Sequence, residues 1–234
     1  MLKVIGLEKT YKNAQRPSIK DANLTIENGV IYGFVGKNGA GKSTLIKCIT
    51  GFLPFEKGDI LLDSKSILKD ENIVKKQIGY VPDNHATYEN LTGREYVNFI
   101  ADIYEVDQET REKRLKKYSK MFNIEEALDR QIKGYSHGMT QKICVIGALV
   151  HEPKLWILDE PFLGLDYQSR VSIKECINEY VKNKHHSVIF SSHEVDTVVD
   201  LCDMICVIEN GVVKAELKNT KNKETKDKLE EYLL

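Results

Sequence analysis

The sequence predicts an α/β fold with an antiparallel β segment at the N-terminus and a block of helices inserted in the middle. Short apolar runs typical of buried parallel strands alternate with segments of helical periodicity. These runs fall at 30–35, 77–81 and 155–158. Residues 2–11 and 19–32 instead contain short strands separated only by polar turns. From about residue 85 to 150 the strand pattern stops and amphipathic helices replace it.

A glycine-rich loop joins the first apolar run to a helix-compatible segment, 45–49. It reads GKNGAGKST and consists of Gly36, Lys37, Asn38, Gly39, Ala40, Gly41, Lys42, Ser43 and Thr44. The glycines let the backbone bend around a polyphosphate so that several N–H groups point towards it. The helix that starts near Lys42 adds the positive end of its dipole. Lys42 can reach the β- and γ-phosphates, and the Ser43 hydroxyl can bind Mg²⁺. We favour this Walker A loop over a plain strand–helix turn because every fixed position is filled, and it predicts a nucleoside triphosphate site.

Composition narrows the class of protein. The chain has 234 residues, 41% hydrophobic and 29% charged, which is typical of a soluble globular protein with one large or two small domains. A net charge of −1 gives no argument for nucleic acid or an anionic membrane as partner. Apolar stretches such as 143–150 are far shorter than the roughly 18–20 residues that a membrane span needs. The N-terminus is typical of a strand rather than a signal peptide, so a membrane role would require a separate partner.

The five cysteines are odd in number and scattered through apolar patterns. They are Cys48, Cys144, Cys176, Cys202 and Cys206. The spacing of the last two would suit a pair of metal ligands, but no second pair accompanies them. We therefore expect small buried hydrophobic residues in a reducing cytoplasm.

The inserted block opens with a capping box, Thr92 followed three residues later by Glu95, and a helix predicted to run through Ile103. Asp107 can cap a second, highly charged helix. Leu115, Tyr118, Met121 and Phe122 form its apolar stripe. Its Lys/Arg run is interleaved with acids, so a solvated face is favoured over a nucleic-acid patch.

The α/β alternation then resumes with predicted helices at 168–181 and 195–201, a strand at 187–190 and a hairpin at Asn210–Gly211. Residues 218–234 are rich in Lys and Glu and predict a loose terminal helix. We expect one domain over 1–217, with a nucleotide-binding core formed by 1–84 and 151–217. A helical subdomain would be inserted at about 85–150, and 218–234 would be a C-terminal tail.

Carboxylates follow the apolar strand 155–158, where Asp159 can hold Mg²⁺ directly or through water. Glu160 can polarise an attacking water. Such general-base catalysis increases the rate of hydrolysis by roughly 10²–10⁴-fold. A charged strand end facing solvent is the alternative. After the next strand, His193 can donate to a γ-phosphate oxygen, although a lone histidine is often structural.

Two further positions fit a nucleotide site but have ordinary explanations as well. Ser136 is a plausible N-cap for a helix at 140–150, whose first N–H groups would form a second anion site. On local evidence alone a plain helix start is preferred. Tyr11, after the first strand, suits a ring that stacks on a nucleobase, although a tyrosine at a strand end more often packs.

Together these segments resemble the ATP-binding cassette family, the nucleotide-binding subunits of ABC transporters, over nearly the whole chain and in the family's order. The resemblance implies a P-loop NTPase (RecA-like) core. Tyr11 resembles the adenine-stacking aromatic residue, Asp83 falls at the Q-loop, and His193 resembles the switch histidine. Residues 135–139 match the signature motif, 155–160 Walker B and 164–166 the D-loop.

The resemblance also implies a mechanism. Two ATP-binding subunits, identical or different, pair head to tail, so that each ATP lies between one Walker A loop and the partner's Ser136 and Gly138. ATP binding closes the pair, hydrolysis at Glu160 releases it, and separate transmembrane permease subunits receive the movement near the Q-loop. The chain would then be cytoplasmic, peripheral on the inner face of the cell membrane, with ATP and Mg²⁺ as ligands and no nucleic acid partner.

Two positions depart from the family pattern. Asp83 replaces the Q-loop glutamine; an ionised carboxylate only accepts hydrogen bonds and adds negative charge near Mg²⁺ and ATP, although Asp83 can still bind the metal or its water. In the signature, Ser136 and Gly138 remain, while Tyr135, His137 and Met139 replace the usual Leu, Gly and Gln. This variant and the run 161–166 resemble bacterial exporter ATPases.

Two other classes of nucleotide-binding protein are alternatives. Soluble ABC proteins that act on nucleic acid or the ribosome typically carry two cassettes, long insertions or basic arms, and this sequence has none of these. A P-loop kinase or GTPase would leave the signature stretch and His193 unexplained.

Overall fold

A computed structural model describes residues 1–12, 14–84 and 88–233. The strands are β1 (Leu2–Lys9), β2 (Ile19–Ile26), β3 (Ile31–Val35), β4 (Lys57–Leu62), β5 (Lys65–Ser66), β6 (Ile78–Val81), β7 (Leu155–Leu158), β8 (Ser187–Ser192), β9 (Met204–Glu209) and β10 (Val212–Lys218). The helices are α1 (Lys42–Ile49), α2 (Glu71–Lys75), α3 (Gly93–Ile103), α4 (Gln108–Phe122), α5 (His137–Leu149), α6 (Tyr167–Tyr180), α7 (Val195–Leu201) and α8 (Lys223–Leu233).

Two sheets form the framework. The four-stranded sheet has the order β2-β1-β4-β5 and is antiparallel throughout. The six-stranded sheet has the order β10-β9-β3-β8-β7-β6, and only β10 runs antiparallel to its neighbour. The predicted α/β fold with an N-terminal antiparallel β segment is therefore confirmed.

Both faces of the six-stranded sheet are covered, which explains the continuous apolar runs of its central strands. Alternate residues of β3 enter different cores because successive side chains of a strand point to opposite faces. Ile31 and Val35 lie in the core shared with α3 to α8. Tyr32 and Phe34 lie in the core shared with α1 and the antiparallel sheet.

The helical block begins as the sequence predicts. Thr92 Oγ1 accepts the Glu95 N–H, and the Glu95 carboxylate accepts the Thr92 N–H, which completes the capping box of α3. Asp107 caps α4 by accepting the N–H of Thr110. The apolar stripe of α4 packs inward.

Helix α5 begins at His137, three residues earlier than predicted, because the Ser136 side chain accepts the N–H of Met139 and caps the helix there. Most of the helix is buried. Its C-terminal end lies directly on β6, where a Cβ added to Gly79 would be 2.3 Å from the carbonyl oxygen of Ala148. Only glycine permits this approach of the two backbones.

The C-terminal segment is a packed helix rather than the loose one expected. Leu229 of α8 is fully buried in the core that contains α3 to α7, and Lys226 pairs with Asp196 of α7 at 2.6 Å. The packing of α8 could not be predicted from its Lys/Glu-rich sequence, because one buried leucine gives no periodic pattern.

The five cysteines are free and buried, as predicted. Within the described residues no group of three or more His, Cys, Asp or Glu side chains could hold a metal ion. In the same residues, no helix combines the length and the apolar composition needed to cross a membrane.

Candidate functional site

The glycine-rich loop connects β3 to α1 at the carboxyl edge of the six-stranded sheet. Two of its glycines are fixed by close contacts. A Cβ at Gly36 would lie 2.2 Å from the carbonyl oxygen of Ile208, and one at Gly41 would lie 2.7 Å from that of Ser18. Gly41 also has a φ of +111°, which other residues avoid. The loop shape predicted from the sequence therefore depends on these two glycines.

Lys42 begins α1 and is almost fully buried. Its Nζ donates to the carbonyl oxygens of Gly36, at 2.8 Å, and Lys37, at 3.3 Å. The same atom lies 3.4 Å from Oε1 of Glu160. The ammonium is thus held among acceptors at the centre of the loop, where it can interact with phosphate oxygens.

Asp159 follows β7 and has only 1% of its surface exposed. Its Oδ1 accepts the hydroxyls of Ser191, at 2.6 Å, and Ser43, at 3.0 Å. Burial raises the pKa of this carboxyl, the hydroxyl groups oppose that shift, and the negative charges of Asp83 and Glu160 reinforce it.

The second oxygen of Asp159, Oδ2, is buried and has no hydrogen-bond partner among the described residues. An unpaired buried carboxylate oxygen is costly unless a cation meets it. Together with the Ser43 hydroxyl it provides the hard oxygen ligands that Mg²⁺ prefers. These residues therefore fit a magnesium ion.

Glu160 has a φ of +47°, an uncommon conformation for a residue with a side chain. Its N–H donates to Ser191 Oγ at 2.8 Å, which holds the turn. Its Oε2 lies 3.0 Å from Nδ1 of His193, while Oε1 faces Lys42. Because a carboxylate only accepts, the hydrogen of the His193 contact must be on Nδ1.

A cleft of about 530 Å³ brings most of the predicted residues together. It is lined by Asn38 to Thr44 together with Asp83, Glu160 and His193. Ser18 and Leu163 also line it and were not expected from the sequence. Leu163 belongs to the run 161–166, whose only signal in the sequence is its family likeness, and nothing in the sequence marks Ser18.

Asp83, two residues after the end of β6, lines this cleft and also a second, mainly apolar cleft of about 480 Å³. Phe52, Tyr80, Tyr96, Ile100 and Ala148 contribute to this second cleft. The aspartate therefore stands between two depressions of the surface.

Tyr11 lies beside the loop rather than inside the cleft. Its hydroxyl is 3.4 Å from Oγ1 of Thr44, and 43% of the residue is exposed. The Lys9 ammonium lies 5.9 Å from the centre of its ring. The ring is accessible at the outer edge of the loop, as a base-stacking residue would need to be.

The signature residues are not brought to this cleft. Ser136 is exposed at the start of α5, and Gly138 is buried against α6, where an added Cβ would lie 2.9 Å from Oγ of Ser169. Neither residue lines the nucleotide cleft. Within one chain the two halves of the predicted site are therefore separate.

Residues 19–163, more than half of the chain, match the family profile described as ABC transporter. The chain belongs to this family. The ABC-type transporter ATP-binding protein EcsA of Bacillus subtilis (strain 168) is 38% identical over 201 residues, which cover 86% of this chain and 81% of EcsA. The linearmycin resistance ATP-binding protein LnrL of the same organism is 33% identical over 211 residues, covering 90% and 67% of the two chains.

Among solved structures, the ABC cassette MJ0796 superimposes with a TM-score of 0.84 at 24% identity and covers 93% of this chain and 98% of its own. That structure is described as a dimer in a post-hydrolysis state with ADP and Pi. At this identity the likeness supports the P-loop NTPase fold alone. Family membership confirms the predicted ATP-binding subunit of an ABC transporter, an ATPase, and leaves no place for the kinase or GTPase alternative.

Proposed function

We propose that this ABC subunit powers a bacterial exporter by pairing with a second ATP-binding subunit around two ATP molecules. The observation that carries the proposal is the separation of the site within one chain. Residues 38–44 of the loop, Glu160 and His193 line one cleft, with Asp159 buried beside Ser43, while Ser136 is exposed outside that cleft as the N-cap of α5. A second chain, turned head to tail, would bring its own Ser136 and Gly138 to the open side.

Each predicted residue has a role in this proposal. The loop N–H groups and Lys42 hold the phosphates, and Tyr11 stacks on the adenine. Ser43 and Asp159 would hold Mg²⁺, with Asp83 close enough to the cleft to contact the ion or its water. Bound Mg²⁺ would neutralise charge on the β- and γ-phosphate oxygens.

Glu160 is the proposed general base. Its carboxylate accepts a hydrogen bond from the attacking water and polarises it. His193 contacts the γ-phosphate through Nε2 while Nδ1 faces Glu160. Because carboxylate and phosphate oxygens only accept, a histidine that bridges them must carry a proton on both nitrogens.

The second cleft is the proposed docking surface for the membrane-spanning partner. It is mainly apolar and shares Asp83 with the nucleotide cleft, so that a segment bound there would sense the nucleotide. Export is supported by the run 161–166, which resembles that of exporter ATPases, and by the name of the relative LnrL, which describes linearmycin resistance. We place the chain at the cytoplasmic face of the membrane.

The same proposal gives the chain its division into parts. The nucleotide-binding core comprises 1–84 and 151–217, the helical subdomain is inserted at about 85–150, and 218–234 is an appended C-terminal segment. Helices α3, α4 and α5 all fall within the inserted part.

The test is the substitution Glu160→Gln, which keeps the shape of the side chain but removes the base. We expect ATP hydrolysis to fall roughly 10²–10⁴-fold, and ATP with Mg²⁺, but not ADP, to produce a dimer by light scattering. Glu175→Gln, an exposed residue of α6, is the matched control and should hydrolyse ATP normally.

Rapid hydrolysis by the Glu160→Gln chain would show that Glu160 is not the general base. If the folded variant stays monomeric with ATP, the site shared between two chains is refuted. Purification of a tagged chain from membranes tests the partner. Membrane-spanning proteins should co-purify, whereas ribosomes or nucleic acid would favour the soluble alternative.

A further inference from the structure

His137 is the first residue of α5, directly after the N-cap Ser136. Its Nε2 lies 3.2 Å from the carbonyl oxygen of Leu163. The N–H of Leu163 in turn donates to the carbonyl oxygen of Glu160 at 3.2 Å. Two hydrogen bonds therefore connect the first turn of α5 with the backbone of the proposed general base.

The chemistry of the first contact is determined by its acceptor. A carbonyl oxygen has no hydrogen to give, so Nε2 of His137 must carry the hydrogen. The ring also lies against Gly164, whose φ is +70° and whose Cβ, if present, would be 3.5 Å from Nε2. The imidazole thus contacts Leu163 and Gly164 and fixes this turn against α5.

The turn it contacts forms part of the nucleotide cleft. Leu163 lines that cleft together with Glu160 and His193. Glu160 itself holds a left-handed backbone conformation, so its carboxylate direction depends on how the following residues are held. A shift of the turn by a fraction of an ångström would therefore alter the position of the carboxylate relative to Lys42 and His193.

We propose that His137 is a positioning residue that links the partner's nucleotide to this chain's own hydrolysis. This inference rests on the proposed function, since it requires that Ser136 meets ATP bound by the partner. When that nucleotide contacts the first turn of α5, the displacement of this turn is transmitted through His137 to Leu163 and then to Glu160. The chain then holds its general base correctly only when its neighbour's site is filled.

The test compares two substitutions of this exposed residue. Leucine keeps bulk but has no donor, whereas the terminal nitrogen of glutamine is as many bonds from Cα as Nε2 of histidine and can donate to Leu163. We expect His137→Leu to lower kcat for ATP about tenfold with KM changed less than about twofold, because catalysis and not binding depends on the position of Glu160. His137→Gln should restore most of the rate, and His185→Leu, at another exposed histidine, should behave as the wild-type chain.

Dimerisation separates this inference from the proposed function. In a Glu160→Gln background, chains with and without His137→Leu should form the ATP-dependent dimer equally. If both dimerise but His137→Leu retains full kcat, or if glutamine is as poor as leucine, the positioning role is refuted while the shared site stands. If the Glu160→Gln chain does not dimerise with ATP, the proposed function fails, and the inference fails with it.

Discussion

At the scale of single residues, two adjacent acids at the end of β7 have different environments. Asp159 is buried with two hydroxyl donors and one unpaired oxygen, whereas Glu160 faces an ammonium and an imidazole. The sequence predicts both carboxylates and their strand end. Their different environments depend on residues far away in the chain, which only the folded sheet brings together. These residues are Ser191, His193 and Lys42.

The charge of Asp83 can be tested by Asp83→Gln. This carboxylate lines the nucleotide cleft and contributes to the raised pKa of Asp159. Glutamine removes a negative charge beside the phosphates, so we expect hydrolysis to rise several-fold. Because a carboxylate able to contact the ion or its water is lost as well, the half-maximal rate should need more Mg²⁺. The measurement is an ATPase titration with Mg²⁺, with Asp227→Asn on α8 as the control. An unchanged rate and Mg²⁺ dependence would show that Asp83 does not influence the site.

His151 gives a prediction about stability and pH. Its ring stacks on Tyr104 with centroids 3.6 Å apart, and Nε2 lies 3.2 Å from the carbonyl oxygen of Ile78. Burial lowers the pKa of His151 to about 4. The unfolded chain, with a histidine pKa near 6.5, binds the proton first, so stability is lost as pH falls through 6.5 towards 4.

Between pH 7.5 and pH 5 this histidine should contribute a loss of about 2 kcal/mol in the free energy of unfolding. His151→Phe keeps a ring against Tyr104 but cannot be protonated. It should cost about 1 kcal/mol at pH 7.5, where the hydrogen bond to Ile78 is lost, and remove the part of the pH dependence that His151 contributes. Urea unfolding at the two pH values measures the free energy of unfolding of each chain. An equal change with pH in the wild-type and His151→Phe chains would contradict the prediction.

At the scale of secondary structure, elements with local signals were predicted well. The Walker A loop, strand β7 and the capping box of α3 each depend on residues within a few positions of one another. Helix α5 begins three residues before the predicted residue 140, because the Ser136 side chain accepts the N–H of Met139 and so caps the helix at 136. The packing of α8 could not be foreseen, since it depends on Leu229 reaching a core built by distant helices.

The capping box offers a test at this scale. Thr92→Ala leaves the N–H of Glu95 without its acceptor, so we expect the free energy of unfolding to fall by about 1 kcal/mol. Thr92→Ser retains a hydroxyl at the same place and should preserve most of the stability. Urea denaturation of the two variants measures the difference, and equal losses would show that the hydroxyl is not what stabilises α3.

At the scale of the whole molecule, the order of strands in the two sheets is a long-range property. Strands β1 and β4 pair across about 50 residues, and β3 lies between β8 and β9, more than 150 residues later. No local pattern specifies such partners. The family resemblance supplied the expected architecture, and the sheet order then explains why the loop, Asp83, Glu160 and His193 reach one edge.

The contact at Gly79 has a mechanical consequence for the whole molecule. The backbones of β6 and α5 are too close there for one to slide or roll over the other, and interiors packed in this way transmit displacement instead of absorbing it. We therefore expect the strand that leads to Asp83 and the helix that begins at His137 to move together. In the proposed dimer, a force on the surface near Asp83 would therefore move the N-terminal end of α5 and change the position of Ser136 relative to the partner chain.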